Sequence, residues 1–201
     1  MYYKKPFIIL ASLFLFGFHI SANKPYVIKW VITKGCSLKV DGRTNVNTFS
    51  CVIADYITPD TLILQKTTSS DPVSIVGCLK LDVVNFDCKN VIMTEDLRKT
   101  LKQKSFPKLT IRFVNLTKYP CFENRDDVIK GLVNIELAGI NKQFIIDYLF
   151  KQYGNTSFSL IGTRKLRFSD FNIVPPRKLG GMIKTDDNLK VEFNLNVKII
   201  N

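Results

Sequence analysis

Near its C-terminus the chain alternates without a break. Leu189, Val191, Phe193, Leu195, Val197 and Ile199 are separated by Lys190, Glu192, Asn194, Asn196 and Lys198. A period of two puts every apolar side chain on one side of an extended strand and every polar one on the other. The same pattern returns over 128–137, with Ile129, Val133, Ile135 and Leu137 in one row and Lys130, Asn134 and Glu136 in the other. Gly131 sits in the apolar row. It returns again with Leu109, Ile111 and Phe113 against Thr110 and Arg112. Further strands are expected at 26–33, 36–42, 48–57, 61–67, 76–86, 143–150 and 156–163. Thr58-Pro59-Asp60, Ser70-Asp71-Pro72, Gly139-Ile140-Asn141 and Gly154-Asn155 supply the turns between them.

So many one-faced strands must hide a single apolar side. They do so by closing on themselves or by packing against a second sheet. A long series of sequentially adjacent strands favours closure, which also removes exposed edges. The expected fold is therefore all-β, a single antiparallel barrel of about eight strands. One short helix interrupts it. Thr94 is the expected cap, with Glu95 and Asp96 in the first turn and Lys99, Lys102 and Lys104 towards the end, an order that suits the helix dipole. Leu97 and Leu101 give a narrow apolar stripe, so the helix is expected outside the barrel or across one mouth. Pro107 returns the chain to extended structure.

Residues 1–22 have the form of an export signal. Lys4 and Lys5 form the basic start, Phe7 to Phe18 the apolar run, and His19-Ile20-Ser21-Ala22 the small-residue cleavage site. The run is shorter than the ~18–20 residues of a spanning helix. No cysteine lies near the cut, which argues against a lipid-modified N-terminus. The expected arrangement is a cleaved signal over 1–22 and one barrel domain over 23–201, in the periplasm or secreted. Cleavage removes His19, the one histidine in the sequence. A Ser-His-Asp triad, a Cys-His pair and a His-ligated zinc then go with it.

The five cysteines, Cys36, Cys51, Cys78, Cys88 and Cys121, suit an oxidising compartment and leave at least one thiol unpaired. They show no C-x-x-C spacing, so neither a zinc ribbon nor a thioredoxin-like site is expected. Asn115-Leu-Thr117 and Asn155-Thr-Ser157 match the glycosylation pattern, which matters in a eukaryotic secretory pathway. The net charge of +12 favours anionic surfaces, including lipid head groups. The basic residues are scattered, with no aromatic–basic ribonucleoprotein pattern, so no nucleic-acid partner is expected.

An ordered set of segments carries a resemblance. It runs Gly42-Arg-Thr-Asn-Val-Asn-Thr-Phe-Ser-Cys51, Asn85-Phe-Asp-Cys-Lys-Asn90, Met93-Thr-Glu-Asp-Leu-Arg-Lys-Thr-Leu101 and Ser105-Phe-Pro-Lys-Leu-Thr-Ile-Arg-Phe113. Leu166-Arg-Phe-Ser-Asp-Phe-Asn-Ile-Val-Pro-Pro176, Gly180-Gly-Met-Ile-Lys184 and the final strand complete it. From about residue 28 to 199 the chain resembles the YceI-like family of exported bacterial proteins, in particular members from Bacteroidetes. The resemblance implies a lipocalin-like barrel whose interior holds a long isoprenoid-type chain, with no catalytic residues to carry over. It also implies a Cys51–Cys88 disulfide and pairing as a homodimer. Cys36, Cys78 and Cys121 depart from it.

The inward candidates are Ile111, Phe113, Val133, Ile135, Phe193 and Leu195, with Phe144, Ile146, Tyr148 and Phe150 from one strand face and Phe158 and Leu160 from another. Eight strands make a tube that side chains just fill or that holds one slender ligand. Apolar transfer at ~0.8 kcal/mol per CH₂ gives each five-carbon unit roughly 3–4 kcal/mol before entropy costs. A polar head is placed at the mouth, near Arg98, Lys99 or Lys102.

Three readings follow. The first is a lipid carrier or sequestering protein, with an isoprenoid or quinone-like ligand, no other cofactor or metal, and transient membrane contact. The second is a secreted interaction module with a solid core. The third, an enzyme using paired carboxylates, would draw on Glu123, Asp126-Asp127, Asp186-Asp187, or Asp147 with Glu136 facing inward together. The adjacent pairs lie in turn-like stretches where acids are routine, so no enzyme is expected. Gly180-Gly181 is read as a turn. Phe168-Ser-Asp-Phe171 is read as a short helical turn with a structural role.

Overall fold

The computed structural model describes residues 26–56, 58–66, 72–121 and 128–200. The export signal expected at 1–22, together with Glu123, Asp126 and Asp127, lies outside the described residues. The first strands are β1 (Tyr26–Ile32), β2 (Cys36–Arg43), β3 (Thr48–Tyr56), β4 (Thr61–Lys66) and β5 (Val73–Asp82). The helix α1 (Val91–Thr100) follows, then β6 (Lys108–Leu116), β7 (Val128–Leu137), β8 (Ile140–Gln152) and β9 (Ser157–Arg167). Two short strands, β10 (Arg177–Lys178) and β11 (Ile183–Lys184), precede β12 (Asn188–Ile200).

All pairings are antiparallel. β1 and β2 lie end to end along β12: Lys29 to Ile32 pair with Ile200 to Val197, and Ser37 to Asp41 with Asn194 to Lys190. Gly35, at φ 81°, makes the break between them. On their other side β4 pairs with β1 and β3 with β2, so β3 and β4 also act as one interrupted stave. The ring then runs β4-β5-β6-β7-β8-β9-β12 and closes on β1. This is a closed, eight-stave, up-and-down barrel with one helix, the closure that the series of adjacent strands favours over a second sheet.

Its interior is the predicted apolar row. Phe193, Leu195 and Val197 of β12 are buried while Lys190 and Lys198 are exposed. The middle of the tube is filled by rings. Trp30 meets Phe158 at 4.9 Å between centroids, Phe158 meets Phe150 at 5.8 Å, and Tyr148 meets Phe193 at 5.8 Å. Phe113 continues the series against Phe193 at 6.3 Å.

Three local expectations are corrected. The fifth strand spans Val73–Asp82 and not 76–86, because Val83–Asn85 turn off the barrel as a 3₁₀ turn that leads the chain to α1. The cap of α1 is Asn90, whose side chain accepts from the Met93 N–H at 3.0 Å. Thr94 is buried one turn later, where its hydroxyl accepts from the Cys88 N–H at 3.0 Å, so Glu95 and Asp96 fall outside the first turn. The β7–β8 hairpin turns at Ala138 and Gly139, both at positive φ (52° and 82°), one residue before the stretch expected.

Candidate functional site

The end of the barrel nearest α1 is built from three segments. They are the β2–β3 hairpin tip (43–48), the stretch from Phe86 through α1, and a strap over 168–187 between β9 and β12. The disulfide Cys51–Cys88 ties the start of the helical segment to β3, and the Arg98 guanidinium donates to the Phe86 carbonyl at 2.9 Å. The strap is pinned to the hairpin tip. Arg43 pairs with Asp186 at 2.7 Å, and the Asn45 amide donates to the Met182 carbonyl and accepts from the Lys184 N–H, both at 2.9 Å. Lys178 crosses from the strap to Asp96 on α1 at 2.7 Å. The Ser169 hydroxyl donates to Asp187 at 2.5 Å.

Beneath these segments lies an apolar cavity of about 60 Å³. Its walls come from Leu38 and Val40 of β2, Leu109 and Ile111 of β6, and Ile135 and Leu137 of β7. Phe86, Leu97, Leu101, Phe168, Phe171 and Ile173 roof it. About two waters would fill that space, well under the ~150 Å³ of an engineered apolar cavity that takes benzene. Outside it is a groove of about 290 Å³ between the hairpin tip, α1 and the strap. Val46, Phe49, Ile92, Met93, Pro176 and Ile183 give it apolar walls. Leu97 and Phe168 line both spaces and form the partition between them.

Of the interior residues named from sequence, Ile111 and Ile135 reach this cavity. Phe113, Val133, Phe144, Ile146, Tyr148, Phe158, Leu160, Phe193 and Leu195 are all buried, and they line neither space. Within the tube they pack on one another. Phe168 and Phe171, a structural turn by sequence, form part of the roof; the alternation of the strands carries no trace of a strap folding back over the mouth. Arg98, Lys99 and Lys102 do not border the groove. They line a separate open depression with Glu95 and Lys104.

Electrostatics set the tube apart from its rim. Among the described residues no Asp, Glu, Lys or Arg is buried, so no carboxylate faces the interior. Asp147 and Glu136 both point out to solvent. The Tyr148 hydroxyl is buried with no hydrogen-bond partner among the described residues, and burial pushes the phenol far above its ordinary range. At the rim, the Asn188 backbone N–H, then the Arg43 side chain and the Asn188 amide, hold the Asp186 carboxyl down to about 2. Burial pushes Asp170 up, but hydrogen bonds from Lys142 and the Arg167 N–H outweigh it and hold the carboxyl below its ordinary value.

No protein-family model and no curated protein matches the sequence. Solved structures do match the fold. BcnA of Burkholderia cenocepacia superposes with a TM-score of 0.59 at 12% identity, covering 83% of this chain and 96% of that one. A polyisoprenoid-binding domain from Saccharophagus degradans, implicated in plant cell wall breakdown, superposes at 0.60 and 9% identity, covering 84% and 97%. The chain has the lipocalin-like, YceI-type barrel fold. Here rings fill the middle of the tube, and the cavity described above lies at the α1 end.

Proposed function

We propose that this protein is an exported lipid-binding barrel that takes up a long apolar chain of isoprenoid type at its α1 end, for transport, storage or sequestration in the periplasm or outside the cell. One observation carries the reading: an apolar cavity, with no charged group buried in it, stands behind a partition of two side chains at the floor of a surface groove. A tail laid in the groove reaches the cavity once Leu97 and Phe168 change rotamer. Deeper entry requires the ring stack from Phe193 to Trp30 to give way, so chain length is read by how far that stack yields. The affinity is apolar transfer, at ~0.8 kcal/mol per buried CH₂. The fold shared with a polyisoprenoid-binding domain supports the reading by analogy. The disulfide and the signal-like residues 1–22 support export.

The filled tube favours a second reading, a secreted interaction module with a solid core. Native mass spectrometry of protein from its own host, followed by organic extraction, separates the two. A mass excess released as a polyprenyl or quinone-like compound is the expected result. Protein at its bare mass, whose apolar-probe binding is unchanged by Leu97→Trp, overturns the lipid reading and leaves the solid module.

A further inference from the structure

The six most exposed large apolar side chains among the described residues all lie on the three segments that build the α1 end. They are Val46 on the hairpin tip, Val91 and Ile92 on α1, and Val174, Leu179 and Met182 on the strap, each at least 65% exposed. The next most exposed, Tyr26, Tyr153 and Val128 at 56–61%, lie singly at the start of β1, after β8 and at the start of β7, and Val76 and Ile145 on the wall are about half exposed. A soluble surface spreads such residues singly, and their concentration round one opening marks a contact face.

The charges on the same segments have one sign in excess. Over 43–47, 87–104 and 168–187 there are nine Lys and Arg against six Asp and Glu. Three of the six are already neutralised at close range: Asp96 by Lys178, Asp170 by Lys142 and Asp186 by Arg43. Among the described residues Lys89, Lys99, Lys102, Arg177 and Lys184 have no carboxylate partner. A rim of apolar tips backed by unpaired cations matches the chemistry of a bilayer interface with anionic head groups, where side chains such as Leu and Met enter the acyl boundary and Lys and Arg stay at head-group level. A second copy of this chain is a poor occupant, because the two faces would bring like charge together.

We infer that the α1 end of the barrel docks on anionic membrane, with Leu179, Met182, Val174 and Ile92 inserted and Lys89, Arg177 and Lys184 on the head groups. The face that docks is then the face that opens, so an apolar chain passes between bilayer and groove without crossing water. Docking depends on the rim and not on the cavity; it goes beyond the lipid-binding reading and survives its failure.

Co-sedimentation of the full mature chain with ligand-free vesicles tests it. The vesicles are phosphatidylcholine with phosphatidylglycerol, against phosphatidylcholine alone. Binding to the anionic vesicles, weakened by high salt, is expected. Leu179→Asp with Met182→Asp should weaken it by about ten-fold or more, as should Arg177→Glu with Lys184→Glu. Ile145→Asp on the outer wall should leave it unchanged, and all variants should keep the wild-type circular dichroism spectrum. Absence of binding to anionic vesicles overturns the inference. So does binding that Ile145→Asp weakens as much as the rim pairs do, or a dimer in sedimentation equilibrium that the rim substitutions dissolve.

Discussion

The ring of Phe193 on β12 covers Gly162, its cross-strand partner on β9, so closely that a Cβ at 162 would stand 2.2 Å from the ring's Cζ. The absent side chain is what lets the ring lie across the tube and meet Tyr148. Gly162→Ala is expected to force the ring aside and cost about 1–3 kcal/mol in urea denaturation, the usual range for an overpacked core. Gly154→Ala, where the nearest atom lies at 3.6 Å, is expected to be close to neutral.

Tyr148 offers the opposite test. Its hydroxyl is buried without a partner, so Tyr148→Phe removes a desolvated group and leaves the ring packing intact. Stability should rise by about 1 kcal/mol, read as a higher Tm. A fall would mean that the oxygen bonds to something inside the tube, such as a ligand's polar group.

The Cys51–Cys88 bond closes a loop with a sequence separation of 37. Cys88→Ala should destabilise the fold by roughly 3–4 kcal/mol if the loop-entropy account holds. Amide exchange should quicken in α1 before it does in β6 to β9. Equal protection of α1 in variant and wild type would show that packing of Leu97 and Leu101 holds the helix without the crosslink.

Acid should loosen the strap. The Asp186 carboxyl is held down to about 2, against about 3.8 when unfolded. Its contribution is therefore complete above pH 4 and lost as the pH falls towards 2. The amides of Thr185 to Asn188 should lose exchange protection across that window. In Asp186→Asn the same amides should show no such step.

Most of the barrel was legible because each stave has one wet face, and a two-residue period needs no tertiary information. The misses come where two local signals compete. Asn90 and Thr94 are both good caps four residues apart, and Thr94 lost the role because its hydroxyl is used by Cys88. Val83 and Val84 extend an apolar run that reads as strand, yet the chain must leave the sheet there to reach the helix. Ala138 at positive φ has no mark in sequence at all. The site was less legible than the fold. Alternation tells that Phe113 and Phe193 point inward, but not whether they leave a void or fill it. The roof over the void joins Phe86, Leu97 and Phe168, far apart in the chain, and no motif links them.

The order of the staves has a consequence for how the molecule is made. With β1/β2 and β3/β4 each counted as one stave, and β10–β11 set apart in their own small sheet, each stave lies beside the next along the chain, and the ring is closed at the seam where β12 meets β1 and β2. Until its last 13-residue strand arrives, the growing polypeptide is an open sheet with two bare edges, ready to stick to its own kind. A polypeptide threaded unfolded through a membrane and released whole never has to wait in that state. One that loses its tail to a protease can never leave it.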